Sequence, residues 1–215
     1  MKRDVSLEEI SDGKFYNNRD MVRADTNGCK GCVACCKGVG YSIVLDPYDV
    51  HRLRQSLGVD FEGLMKTGVE LHVEEGLILP NLKMLGEEEA CYYLNAEGRC
   101  SIHEARPGIC RLFPLGRYYE GEHFHYILQV HECPKENKSK VKVKKWLATP
   151  HLESYEKFIQ SWHDCVKIMQ ERIQSTEVAE EIRKINMNFL NTFFVEGYQE
   201  DFYKDYDERV RRITK

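Results

Sequence analysis

The sequence predicts an α+β protein: an irregular cysteine-rich module of short strands and helices, followed by a helical C-terminal region. Three observations lead there. Eight of the nine cysteines lie between Cys29 and Cys133. Between Val69 and Gln129 the pattern is mostly short strand-like runs broken by turn residues. Beyond Cys133-Pro134, apolar residues recur every three or four positions, the period of an amphipathic helix.

The order along the chain follows from these signals. Residues 1–24 are polar and read as a loosely packed lead-in, 25–135 as the cysteine-cluster domain, and 136–215 as a helical region packed on it. Asp46 and Pro47 suit the cap and first position of a helix that should stop near Gly58. A shorter helix should run from Asp60 to about Lys66. Asn95-Ala96-Glu97-Gly98 and Glu120-Gly121-Glu122 are turn segments, and His123 to Ile127 has strand composition. Leu152, Tyr155, Ile159, Trp162, Val166, Met169 and Ile173 form one helical stripe, with Thr149 available as its cap. Val178, Ile182, Ile185, Phe189 and Phe193 form a second. A last helix should run from about Asp201 to the end.

A chain of 215 residues buries enough surface to fold without a metal or a disulfide. Its net charge of -4 argues against a general nucleic-acid binder. No apolar run is long enough to span a bilayer, and MKRDVSLEEISDGKFY has no apolar stretch of a secretory signal. The expectation is a cytoplasmic protein that binds neither nucleic acid nor membrane. In a reducing compartment, clustered cysteines point to metal or catalysis rather than disulfides.

The run Cys29-Lys30-Gly31-Cys32-Val33-Ala34-Cys35-Cys36 is the sharpest signal. Two residues between cysteines let a turn place both sulfurs on one side of the backbone. Three cysteines at that spacing suit a four-iron cube, whose corners each take one thiolate and whose further ligand often comes from a distant Cys-Pro such as Cys133-Pro134. Zinc more often takes two ligands from one turn and two from elsewhere. The spacing therefore favours an iron–sulfur cluster (4Fe-4S) over zinc, with both open. Cys35 and Cys36 are adjacent, so their side chains should diverge. Either two centres lie close together, or one of the pair is packed as a small apolar residue.

Around Cys110 the chain reads Arg106-Pro107-Gly108-Ile109-Cys110-Arg111-Leu112-Phe113-Pro114. Pro107 can open a short helical turn and Pro114 stops it, which would hold Cys110 rigidly. Arg106 and Arg111 are candidates to offset the negative charge of a thiolate centre from just outside it. Cys165 sits within the first helical stripe and reads as a core residue. His103, His131, His123 and His125 read as ordinary polar or strand residues.

The Cys-x-x-Cys-x-x-Cys-Cys run, followed by Gly98-Arg99-Cys100-Ser101-Ile102-His103 and by Arg106-Pro107…Cys110-Arg111…Phe113-Pro114, resembles the YkgJ-like cysteine-cluster family of zinc- or iron-chelating proteins. Flagellin lysine N-methylases carry a related cluster. The resemblance covers roughly 25–135. It implies that Cys29, Cys32, Cys35, Cys36, Cys91, Cys100, Cys110 and Cys133 form the metal-binding set; for the last four it carries most of that inference. His103 stands where the family has tyrosine.

The function expected is metal binding through this cluster, with the C-terminal helices offered to a protein partner. The alternative is a methyltransferase resembling the flagellin enzymes, using the cluster and S-adenosylmethionine in methyl transfer to a protein. Against it, Gly38-Val39-Gly40 lacks the third glycine of a dinucleotide-type loop, and Cys-x3-Cys-x2-Cys is not completed, since Val39 follows Cys32 and Cys36. No P-loop, nucleophile elbow or zinc-protease helix is present.

Overall fold

The computed structural model describes residues 6–26 and 32–215. Helix α1 (Leu7–Ile10) opens on a Ser6–Glu9 capping box. Strand β1 (Met21–Asp25) turns Val22 and Ala24 inward and leaves Met21 and Arg23 exposed. A 3₁₀ turn, Ala34–Cys36, carries two cysteines. Helix α2 (Pro47–Leu57) has Asp46 as its cap, Pro47 in its first turn and Gly58 left-handed at its end, as its sequence signals require. Helix α3 (Phe61–Met65) is capped by Asp60.

Among the described residues, four two-stranded antiparallel sheets make up the strand content. Strands β2 (Val69–Glu74) and β3 (Leu77–Leu82) form a hairpin whose two turn residues, Glu75 and Gly76, both have positive φ, the geometry that matches strand twist. Strands β4 (Met84–Leu85) and β5 (Ala90–Cys91) form a minimal pair. Helix α4 (Gly108–Leu112) leads directly into the hairpin of β6 (Leu115–Glu120) and β7 (His123–Leu128). Strand β8 (Ser139–Lys142) returns to pair with β1, Val22 opposite Val141.

The helical part follows: α5 (Val143–Leu147), α6 (Leu152–Gln174), α7 (Ala179–Leu190) with a π turn at Asn191–Val195, and α8 (Phe202–Ile213). On α6 the buried residues Tyr155, Phe158, Ile159, Trp162, Cys165, Met169 and Ile173 keep the three-and-four spacing. The cap of α6 is His151, in a left-handed conformation, whereas the Thr149 hydroxyl bonds to the Leu147 carbonyl. Phe189, Phe193 and Phe194 pack internally around Trp162 rather than facing outward. The π turn leaves carbonyls open, and Arg209 of α8 fills them. Its guanidinium donates to the Thr192, Glu196 and Gly197 carbonyls at 2.6, 3.1 and 2.6 Å, and it pairs with Asp205.

Two apolar clusters result. The larger joins α2, α3, the β2–β3 hairpin and α6 to α8, with Cys91, Cys100 and Cys110 packed against its margin. The smaller gathers Val22, Ala24, Leu112, Leu115, Tyr126, Val143 and Leu147. Asn186 of α7 ties the hairpin to the helices, accepting from the Ile78 amide at 2.6 Å and donating to the Gly76 carbonyl at 3.1 Å. The lead-in is less loose than its composition implies: Ser11 and Tyr16 bridge to Gln129 and Tyr126. No helix among the described residues is long and apolar enough to cross a membrane.

Candidate metal centre

Helix α4 lies at the meeting of the two cores, with Leu112 in one and Cys110 against the other. Two other arms are folded onto it. The first is the 3₁₀ turn: the Cys36 amide donates to the Val33 carbonyl at 2.8 Å. Gly38, at φ 64, then points its amide at the Glu88 and Glu89 carbonyls, and Lys37 pairs with Glu88 at 2.6 Å. These contacts pin Cys35 and Cys36 beside the β4–β5 pair. In the second arm, Asn95 closes a tight loop, accepting the Arg99 amide on its side chain at 2.7 Å and the Gly98 amide on its carbonyl at 3.0 Å. A bridge between Leu94 and Cys100 completes the loop, so that Cys91 and Cys100 return to one place.

Together the arms enclose a cavity of about 330 Å³ whose walls include Cys35, Cys36, Cys91, Cys100 and Cys110. The remaining wall is largely apolar, with Ile43, Leu82, Met84, Ile102 and Phe113, and it carries one basic group, Arg106, and one acidic group, Glu132. The adjacent pair Cys35–Cys36 thus faces a single space, where diverging side chains were expected. Cys32 and Cys133 are half-buried but line no part of this wall. Cys29 lies outside the described residues. Cys165 is buried within α6, and burial raises its thiol to about 12.

The thiols feel one another. Cys35 donates its proton toward the Cys36 sulfur, which holds the Cys35 thiol well above its ordinary value and lowers that of Cys36. Burial raises Cys91, Cys100 and Cys110. Two amides work the other way: that of Tyr93 points at the Cys91 sulfur, and that of Ile102 at the Cys100 sulfur. Each is two residues beyond its cysteine, so the two sites repeat one local geometry that favours thiolate.

Arg106 and Arg111 are parted by the fold. Arg106 lines the cavity, donates to the Cys110 carbonyl at 2.5 Å, and its charge favours the thiolates of Cys100 and Cys110. Arg111 turns away. Its guanidinium lies 5.9 Å over the Tyr155 ring and its charge acts on buried Asp46 and Asp49, with Nε and Nη2 out of solvent and without hydrogen-bond partners among the described residues. Arg117, on β6, joins the same group through the Tyr155 hydroxyl at 3.3 Å. Burial raises both carboxyls, and for Asp46 the neighbouring Asp49 adds to it. His103 is exposed and lies near Glu104, away from the thiol wall.

Gly108 shows how close this packing is. A Cβ there would collide with the Tyr155 hydroxyl. Glycine to alanine inside a helix ordinarily stabilises by up to about 1 kcal/mol. Here the sign should reverse: Gly108→Ala is expected to cost about 1–3 kcal/mol by overpacking, read from the urea midpoint.

Soft thiolates are the donors that select zinc and iron–sulfur centres, and the Arg106 guanidinium stands where it favours the thiolates of Cys100 and Cys110. Donor type and shared cavity therefore fit such a group. Among the described residues, no three Cys, His, Asp or Glu side chains already stand in a metal-holding arrangement. The thiols share a space without converging on a point.

Thiols from separate stretches gathered on one cavity mark a cysteine-cluster protein. The chain belongs to the CxxCxxCC family, whose model, described as "Putative zinc- or iron-chelating domain", matches residues 28–137, just over half of the chain. No curated protein and no solved structure matches it.

Proposed function

We propose that the protein holds an iron–sulfur cluster, of the four-iron type, in the thiol cavity. The observation that carries this reading is that five cysteines from three separate stretches face one space of about 330 Å³. A single zinc ion needs four sulfurs about 2.3 Å from one point. A cube spreads its ligands over the corners of a larger body, which suits thiols arranged around a space. Cys91, Cys100 and Cys110 would each supply a ligand, and the Cys35–Cys36 pair the fourth. Bound, the cluster would supply one-electron chemistry or a structural clamp; Arg106 would offset its charge, and the Tyr93 and Ile102 amides would donate to its sulfur ligands.

Protein purified without oxygen tests the reading. Brown protein with iron and sulfide in about equal amounts is expected for a cube. Zinc without sulfide would replace the cluster by a structural zinc site, and a sample holding neither metal would end the chelation reading. Because burial raises several thiols, loading must release protons, and affinity should rise with pH. Placement in the YkgJ-like group and kinship with the flagellin methylases belong to this same reading, supported by the motif blocks around Cys100 and Cys110; a cytoplasmic location, where clustered thiols stay reduced, goes with it. No feature among the described residues favours the methyltransferase alternative.

A further inference from the structure

Behind the thiol cavity lies a buried polar group that metal chelation does not by itself require. Asp46 and Asp49, at the start of α2, are 8% and 2% exposed. Their local task is a reciprocal cap. The Asp49 amide donates to Asp46 Oδ1 at 2.8 Å, and the Asp46 amide donates to Asp49 Oδ2 at 3.3 Å. This uses one oxygen of Asp49 and leaves the other.

That second oxygen, Oδ1, accepts the amide of Gly108 at 2.7 Å, across 59 positions of sequence. Gly108 is the first residue of α4, and Cys110 is the third. An amide in the first turn of a helix has no partner within that helix, so Asp49 satisfies a group that would otherwise be buried and unpaired. The same place tolerates no side chain on Gly108, because Tyr155 closes over it. Arg106 grips the other end of the turn through the Cys110 carbonyl. The turn is therefore held at both ends, by a carboxylate behind and a guanidinium in front.

We infer that Asp49 is the positioning residue of the centre: by holding the Gly108 amide it fixes α4 and aims Cys110 into the thiol cavity. Its consequence for metal rests on the chelation reading above; its consequence for the turn does not. The two oxygens of one carboxylate thus join the helical core to the ligand-bearing turn.

The test uses the full chain with Asp49→Ala and Asp49→Asn, two measurements on each. Hydrogen exchange reports the amides of 106–113, and zinc titration of the reduced, metal-free protein against a chromophoric chelator reports affinity. Alanine removes the acceptor, so exchange across 106–113 should rise at least about tenfold while α6 and α8 keep their protection, and zinc affinity should fall about 10–100-fold. Asparagine keeps an oxygen acceptor and should restore most of both.

The inference is overturned by parental exchange across 106–113 in the alanine variant, by an equal rise throughout α6 and α8, or by asparagine behaving as alanine. Faster exchange with unchanged zinc affinity also overturns it, while leaving chelation intact. Slow parental exchange with no metal bound by any form removes chelation and leaves the anchoring of the turn standing. If Asp49→Ala does not fold, the parent decides, since a freely exchanging Gly108 amide excludes the hydrogen bond.

Discussion

Cys110→Ser is expected to remove most of the bound metal and to weaken affinity by about 100–1000-fold. A structural zinc site in a small peptide is worth about 10–16 kcal/mol across its ligands, which sets the scale for a thiolate centre. One ligand in four therefore carries about 2.5–4 kcal/mol, and each 1.4 kcal/mol is a decade. Serine adds no compensation, because its hydroxyl is a poor ligand for soft metals near neutral pH. Nor can the turn move to recruit another thiol. The Gly108 amide is bound to Asp49, the Cys110 carbonyl to Arg106, and Pro114 follows directly after the turn. Cys165→Ser is the control. That thiol is 1% exposed within α6, among Trp162 and Met169, and its loss should leave metal content unchanged. Metal analysis of both variants, prepared alike, checks the result; full occupancy in Cys110→Ser would remove Cys110 from the ligand set.

Cys110 also shows where the sequence speaks and where it stops. Its short rigid turn is legible, because Pro107 and Pro114 act locally and the structure has α4 between them. The return of Cys91 and Cys100 to the same cavity is not, because the eight residues between them are closed by Asn95 and the Leu94–Cys100 bridge, contacts that leave no periodic mark. For the same reason Cys35 and Cys36 were expected to diverge. A residue-by-residue rotation treats the side chains as pointing along a long regular element, whereas a three-residue 3₁₀ turn at a cavity edge lets both sulfurs reach one side. Arg106 and Arg111 look equivalent in sequence and are parted by α4, one toward the thiols and one toward buried carboxylates.

Asp49 was readable only in part. An acid three residues after Asp46 marks a capping box, and the structure has it. Nothing local reveals that its second oxygen serves Gly108. Helices behave in the opposite way. The stripe on α6 is a local repeat, so its buried face appears in the sequence almost unchanged. Its start does not, because His151 caps α6 through a left-handed backbone and makes no side-chain cap bond, so no capping residue marks the place. The pairing of β1 with β8 escapes altogether, being a contact across more than a hundred residues.

The largest effect on stability should come from Phe193→Ala, at about 3–5 kcal/mol. Phe193 is fully buried, and its ring centre lies 5.0 Å from that of Phe189, 5.1 Å from Trp162 and 6.0 Å from Tyr206. It therefore fills the space common to α6, α7 and α8. The cost of such a cavity depends on how far its walls can collapse. Here they are held. Arg209 clamps the carbonyls of Thr192, Glu196 and Gly197, so the π turn cannot slide inward without breaking bonds made by a buried charge. Met187→Ala, on α7 but 50% exposed, should change stability by no more than about 0.5 kcal/mol. Urea unfolding of both variants separates the two cases. A loss below about 1 kcal/mol for Phe193→Ala would mean that the C-terminal helices are not packed as a cooperative part of the core. A loss in the expected range should appear with unchanged metal stoichiometry under native conditions, because Phe193 lies in the helical core rather than on the cavity wall.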